Sequence, residues 1–352
     1  MNPAVPSASG AEGGVEAGAP VAGCPKRMIF GPCGGVRAGG RCEVGDFACP
    51  FAVGPLPLWP HPATGPPPSR PRGLLETMVS RPVVVTDLRV RPMDLGSVSG
   101  IAARLAGSCD AVLVGDHQGR PDLPPSLMAE AVTAAGARPW ITLTCRDRNR
   151  VVLESEVAAL AALDIEGVHC VTGDARAPGV RADATQVFDL DSHRLAAVAR
   201  LSGLTVSVAA TPASPPMHLR PRRVVEKQRA GAQLCLVNHA GGPGPVADFV
   251  RAARAAGATI PFIPCVSVFT DEASAAVLTG FPGLSLEAGE VERVLGASDP
   301  VAAGIDAALG QARRMLSIEG VTGVNLSGAA TAGSEEESAH IMATIGRELL
   351  AR

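Results

Sequence analysis

From residue 81 onward, short runs rich in Val and Ile alternate with longer stretches in which apolar residues recur every three or four positions. The short runs predict strands at 82–88, 110–115, 139–145, 167–172, 204–210, 232–238, 259–265 and 322–326. The amphipathic stretches predict helices at 95–107, 124–136, 147–163, 190–202, 219–230, 244–256, 299–316 and 333–350, with a shorter one near 286–292. Near-continuous apolar strands separated by helices signal a parallel sheet covered by helices. Eight such units between 81 and 352 predict an α/β chain folded as a closed (β/α)8 TIM barrel. The rival is an open doubly wound sheet. Against it, no G-x-G-x-x-G follows the first strand, and Gly241-Gly242-Pro243-Gly244 lacks that spacing.

The remainder of the chain reads differently. Residues 1–23 are mostly Ala, Gly, Pro, Val and Ser and predict a disordered tail. Residues 24–51 hold four of the nine cysteines. Residues 52–80 begin rich in proline and predict a stiff linker, with Trp59 packed onto the barrel and His61 inside the same stretch. The barrel then occupies 81–352.

Composition narrows the function. The 31 Lys and Arg nearly balance the 34 Asp and Glu, so no large electrostatic pull towards nucleic acid follows. No apolar stretch is long enough for a membrane span, and no export signal opens the chain. A cytoplasmic enzyme that assembles from like subunits is the expectation. Tyr is absent and lysine is confined to Lys26 and Lys227, amid abundant Ala, Gly, Pro and Arg. Such scarcity makes each lysine worth inspecting.

Cys24, Cys33, Cys42 and Cys49 sit in a segment too short for a core of its own, the kind usually stapled by disulfides or metal. Without an export signal, a four-thiolate site for zinc or an iron–sulfur cluster is favoured. The spacing C-x8-C-x8-C-x6-C does not choose between the metals. Cys33 lies in the flexible sequence GPCGG. The other five cysteines lie on or near predicted strands and are expected to be small core residues.

In a barrel, the strand C-termini and the loops after them build the active site. This points to Asp87 after the first strand, Asp116 and His117 after the second, and Thr144-Cys145-Arg146-Asp147-Arg148-Asn149-Arg150 after the third. Thr172-Gly173-Asp174 follows the fourth strand, Asn238 and His239 the sixth, and Ser267 the seventh. Asp147 is also placed to cap the following helix. G-x-S-x-G, H-E-x-x-H and the P-loop are all missing, so hydrolase and nucleotide-kinase readings lack support.

LTCRDRNR (143–150), GVHCVTGD (167–174) and VFDLDS (187–192), together with AGAQLCL (230–236), resemble the methylenetetrahydrofolate reductase family over about residues 82–350. The segment 24–51 resembles the cysteine-rich, metal-bearing module that accompanies this reductase in some acetogens. The resemblance implies a barrel that holds FAD at its strand C-termini, reduced by NAD(P)H or another donor. The flavin would then convert 5,10-methylenetetrahydrofolate to 5-methyltetrahydrofolate in one-carbon metabolism, the route that feeds methionine biosynthesis. It also implies that Asp174 tunes the flavin and binds folate, and that Thr142, Thr144, Thr172 and Gly173 line the flavin. Arg220, Arg223 and Lys227 would meet its pyrophosphate.

The sequence departs from the family at three places. Where the family has a general-acid glutamate after the first strand, this chain reads VTDLRVRP, and Asp87 is the nearest acid. Asn238 stands for the family's glutamine. AATPASPP, after the fifth strand, lacks an aromatic residue. These departures support an alternative, a folate-binding paralogue that no longer reduces and serves a methyltransferase or demethylase partner. A third reading makes the cysteine module a docking or electron-transfer subunit.

Overall fold

A computed structural model describes residues 19–52, 56–60, 65, 73–117, 119–176, 179–280 and 283–351. Most of the predicted tail and His61 lie outside the described residues. Eight parallel strands close into a barrel in sequence order. They are β1 (Val83–Leu88), β2 (Ala111–Val114), β3 (Pro139–Thr144), β4 (Gly167–Val171), β5 (Thr205–Ala210), β6 (Leu234–Val237), β7 (Phe262–Phe269) and β8 (Gly323–Ala330). The register of β1 against β8, Val85 opposite Asn325, completes the ring. The closed barrel is thus the predicted one, and the open sheet is excluded.

The helices are α1 (Leu74–Ser80), α2 (Leu95–Leu105), α3 (Pro125–Ala134), α4 (Arg150–Ala162), α5 (Ser192–Leu201), α6 (Arg220–Arg229) and α7 (Pro243–Ala255). They continue with α8 (Glu272–Thr279), α9 (Glu290–Leu295), α10 (Pro300–Leu316) and α11 (Glu335–Leu350). Short polar side chains begin many of them by accepting a backbone N–H in the first turn: Asp94, Asn149, Asp191, Asp271, Asp299 and Ser334. No described helix is long and apolar enough to cross a membrane.

Each strand alternates its side chains between two cores. Val84, Val112, Ile141, Val168 and Val206 face outward and pack with the helices. Val83, Val85, Ala111, Trp140, Leu234, Leu236 and Ile263 face inward and fill the lower barrel. Leu74 joins that inner cluster. The predicted linker therefore ends in a helix, α1, whose first residue plugs the bottom of the barrel. A sequence of seven residues gave too short an amphipathic pattern to reveal it.

Other boundaries differ from the sequence reading too, and β8, like β7, runs four residues further than predicted. β7 runs four residues further than predicted, because a strand buried on both faces accepts Ser267 as readily as its apolar neighbours. α8 was not predicted; it is short, and a capping box between Asp271 and Ser274 starts it. α4 begins at Arg150, so Asn149 and not Asp147 caps it, by accepting from the Val152 amide at 2.9 Å.

The amino-terminal segment 19–52 contains short bridges and turns, with little regular structure. It still buries Met28, Ile29, Phe30, Val36 and Phe51. Ile29 and Phe30 pack with Trp59 against Ala197 of α5 and Ala230 beside α6. The Phe30 and Trp59 rings lie 4.9 Å apart. This fulfils the expectation that Trp59 packs onto the barrel, and it fixes the cysteine segment at the open end.

Candidate functional site

The strand C-termini and the amino-terminal segment enclose one cavity of about 370 Å3. Asp87, Thr142, Thr144, Thr172, Gly173, Asp174, Arg220, Arg223, Lys227 and Asn238 all line it. The barrel residues to which the resemblance gave a role are thus brought to one place, whereas His117, Cys145, His239 and Ser267 are not in its wall. Pro32, Cys33 and Gly34 complete the wall, so the cysteine segment is part of the cavity. The volume lies near the lower end of small-molecule pockets, roughly 300–1,000 Å3.

Asp174 lies open to the cavity. The protein around it raises its carboxyl above the usual range, with Glu43 adding to the effect of burial and Lys26 and Arg146 opposing it. Gly173 before it has φ +87°, a conformation that favours glycine. A Cβ there would also stand 3.1 Å from Thr144 and 3.2 Å from Arg146. Thr172 accepts the Ser192 amide at 3.2 Å, which ties the turn to the start of α5.

Asp87 sits deeper, at the end of β1. Burial raises its pKa, against hydrogen bonds from Asn325, Ser327 and the Gly328 amide. Asn325, Ser327, Cys265 and His169 also line the cavity, and none was a sequence candidate for the site. The signal for Asn325 and Ser327 was present: two polar residues at alternate positions of an apolar strand. His169 bonds Ser207 at 2.8 Å and is pushed down to about 3 by burial, with Lys227 adding to the shift.

The three cations assigned to a pyrophosphate have other partners. Arg220 donates to the carbonyls of Ser214 and Cys33, both at 2.9 Å, and also to those of Pro32 and Pro215. Arg223 donates to the Phe30 carbonyl. Lys227 donates to the Ala209 carbonyl at 2.6 Å, and burial pushes it down to about 7. As placed, Arg220 and Arg223 hold the cysteine segment and Lys227 holds β5, while all three border the cavity. Of the three, Arg220 is the most fully engaged by other parts of the chain.

The four amino-terminal cysteines line a second, smaller void with Lys26, Glu43 and Met28. None of the four is in a disulfide. Their chemistry suits zinc or an iron–sulfur cluster. Yet among the described residues no three His, Cys, Asp or Glu side chains are gathered as a metal-ligand set. Cys33 differs from the rest in bordering both voids, and burial pushes its thiol up to about 11. Cys145 is fully buried in the core and does not reach the cavity.

The charged run after β3 is a network beside the cavity. Arg146 is buried and donates to Asp147 and to the His117 carbonyl, each at 2.9 Å. Asp116 accepts the Thr144 hydroxyl at 2.9 Å and pairs with Arg148. His117 pairs with Asp122 at 3.0 Å outside the cavity. His239 is buried and pushed down to about 4. Ser267 is committed to Glu290 and Gln311.

Residues 14–53 match a family described as "Methylene-tetrahydrofolate reductase C terminal". No curated protein matches the sequence. Among solved structures, the chain is similar to an uncharacterized protein from Clostridium thermocellum, described as binding two copies of 5-methyl-5,6,7,8-tetrahydrofolic acid. The TM-score is 0.56 at 10% identity, covering 78% of this chain and 98% of that one. At that identity the likeness is one of fold. The amino-terminal match and the closed eight-stranded barrel behind it fit a methylenetetrahydrofolate reductase-like family.

Proposed function

We propose that the cavity binds the pterin of a one-carbon-bearing tetrahydrofolate, and that the protein acts where methylene- and methyltetrahydrofolate are made or used. The observation that carries this reading is the placement of Asp174. A carboxylate on a glycine-supported turn opens into a cavity sized for a bicyclic ring. A pterin offers neighbouring N–H donors on one edge, and a carboxylate accepts two of them side by side. Asn238 supplies an amide in the same cavity, and Asp87 a deeper carboxyl able to hold a proton for a substrate nitrogen. The family match over 14–53 and the folate named for the structural relative support the same substrate class.

Two activities fit a folate in this cavity. One is reduction of the methylene group, with electrons from FAD and NAD(P)H as the resemblance implies. The other is non-reducing carriage of a one-carbon folate to a methyltransferase or demethylase. One observation favours the second: Arg220 spends its donors on four carbonyls of the cysteine segment and the loop after β5.

Calorimetric titration of the protein, purified without oxygen, with 5-methyltetrahydrofolate and separately with FAD tests both levels. Folate binding without flavin binding supports carriage, and turnover of methylenetetrahydrofolate with an electron donor supports reduction. Absence of folate binding refutes the proposal.

A further inference from the structure

Lys26 is 2% exposed, and its charge is neutralised deep in the protein by Glu43, itself 7% exposed. Both come from the cysteine segment. Both also reach into the barrel at one place. The Lys26 ammonium donates to the Gly173 carbonyl at 2.8 Å. The Ala175 amide donates to the second oxygen of Glu43 at 2.6 Å. The pair therefore grips the backbone on either side of Asp174. Gly35 is shaped to this arrangement, since a Cβ there would land on the Glu43 carboxylate.

A buried ion pair is a poor way to gain stability. Replacing one with apolar groups of similar volume is often neutral or stabilising. An exposed salt bridge could have tied the segment to the barrel at lower cost in desolvation. The sequence also contains only two lysines against abundant arginine, and this is one of them. A lysine presents a compact point charge where the planar arginine fork would need more room.

The geometry points to Lys26 and Glu43 as positioning residues of the cavity: together they fix the Gly173–Asp174–Ala175 turn, so that Asp174 faces the ligand only while the amino-terminal segment is seated. This rests on the reading of Asp174 as a ligand-binding carboxylate. It assigns the cysteine segment a direct part in the barrel's site, through residues that are not cysteines. Lys26 stands two residues after Cys24, and Glu43 directly follows Cys42, so the clamp borders the same small void as the four cysteines.

The test uses the full chain with Lys26→Met, Glu43→Gln and the double variant. The double variant leaves no buried charge unpaired and carries the test if either single variant unfolds. Amide hydrogen exchange is read first, because it needs no ligand. Segment 172–176 is expected to exchange at least tenfold faster in the variants, while 204–210 stays as in the parent. Unchanged exchange at 172–176 overturns the inference.

The second measurement is the affinity for 5-methyltetrahydrofolate in a double-mutant cycle with Asp174→Asn. The clamp acting through Asp174 predicts about tenfold weaker binding in the parent background and no further loss in Asp174→Asn. Equal losses in both backgrounds show a merely structural role and overturn the inference. If the parent does not bind folate, the proposed function fails, and the exchange experiment alone decides the clamp.

Discussion

The side-chain amide of Asn325 donates to Asp87 at 2.9 Å, joining the last strand of the barrel to the first across 238 residues of sequence. The bond fixes the amide's orientation, with nitrogen towards the carboxylate. Its oxygen is buried and has no hydrogen-bond partner among the described residues. The pair stands in the wall of the cavity, so one polar contact both joins the closing strands and shapes the proposed site.

Asp87 should give stability an identifiable pH dependence. Its pKa is raised by burial, so the folded state holds the proton more tightly than the unfolded chain. The associated stability is fully present below the unfolded value, about 3.9, and is lost as pH rises through the folded value. Asp87→Asn keeps an acceptor for Asn325 and removes the buried charge. Thermal unfolding should occur roughly 2 °C higher than in the parent at pH 7. The gap should close as pH approaches about 4. A gap that widens in acid would contradict the assignment.

Asp174→Asn should leave the fold intact, because the side chain lies open to the cavity. Hydrogen bonds to charged groups contribute about 1.5–3 kcal/mol, so 5-methyltetrahydrofolate should bind roughly tenfold to a hundredfold more weakly. Titration calorimetry on parent and variant measures this. Equal affinity would remove Asp174 from the site.

Arg220→Ala removes the donor shared by the carbonyls of Pro32, Cys33, Ser214 and Pro215. Stability in urea should fall by about 3 kcal/mol. The amino-terminal segment should also loosen before the barrel does. Trypsin cleavage at Arg27 or Arg37 should then accelerate, with barrel fragments appearing later. Unchanged cleavage would mean that Arg220 does not hold the segment in place.

Gly167→Ala tests packing at the floor of the barrel. An added Cβ would land on the indole of Trp140, which is 1% exposed and held by a 2.7 Å bond to Ser207. Overpacking of this kind costs about 1–3 kcal/mol. The loss should appear in urea unfolding without any change at the cavity mouth. No loss would show that the indole can move aside.

Much of this protein was legible before its structure. The eight strands follow from apolar runs of the right length, since a strand covered on both faces has little choice but to be apolar. Asp174, Asp87 and Asn238 could be singled out because barrels place their sites at strand C-termini. The helices α1 and α8 were not legible. Each spans two turns, too few for a hydrophobic period to stand out from noise, and each forms because the barrel offers a surface to cover.

The roles of the charged residues divide along the same line. Sequence alone singled out many of the strand-end residues that gather at the cavity, because strand order and period place them there, but it did not single out Asn325, Ser327 or His169. Only the tertiary structure decided what they touch. The resemblance assigned Arg220 and Arg223 to a pyrophosphate, and the cysteine segment folds back across some 190 residues to present each of them with a carbonyl. Lys26 and Glu43 carried no site signal in their own neighbourhood, because their partners lie more than 130 residues away on β4's turn. Local pattern records which face is apolar; it does not record which distant backbone group will meet a buried charge.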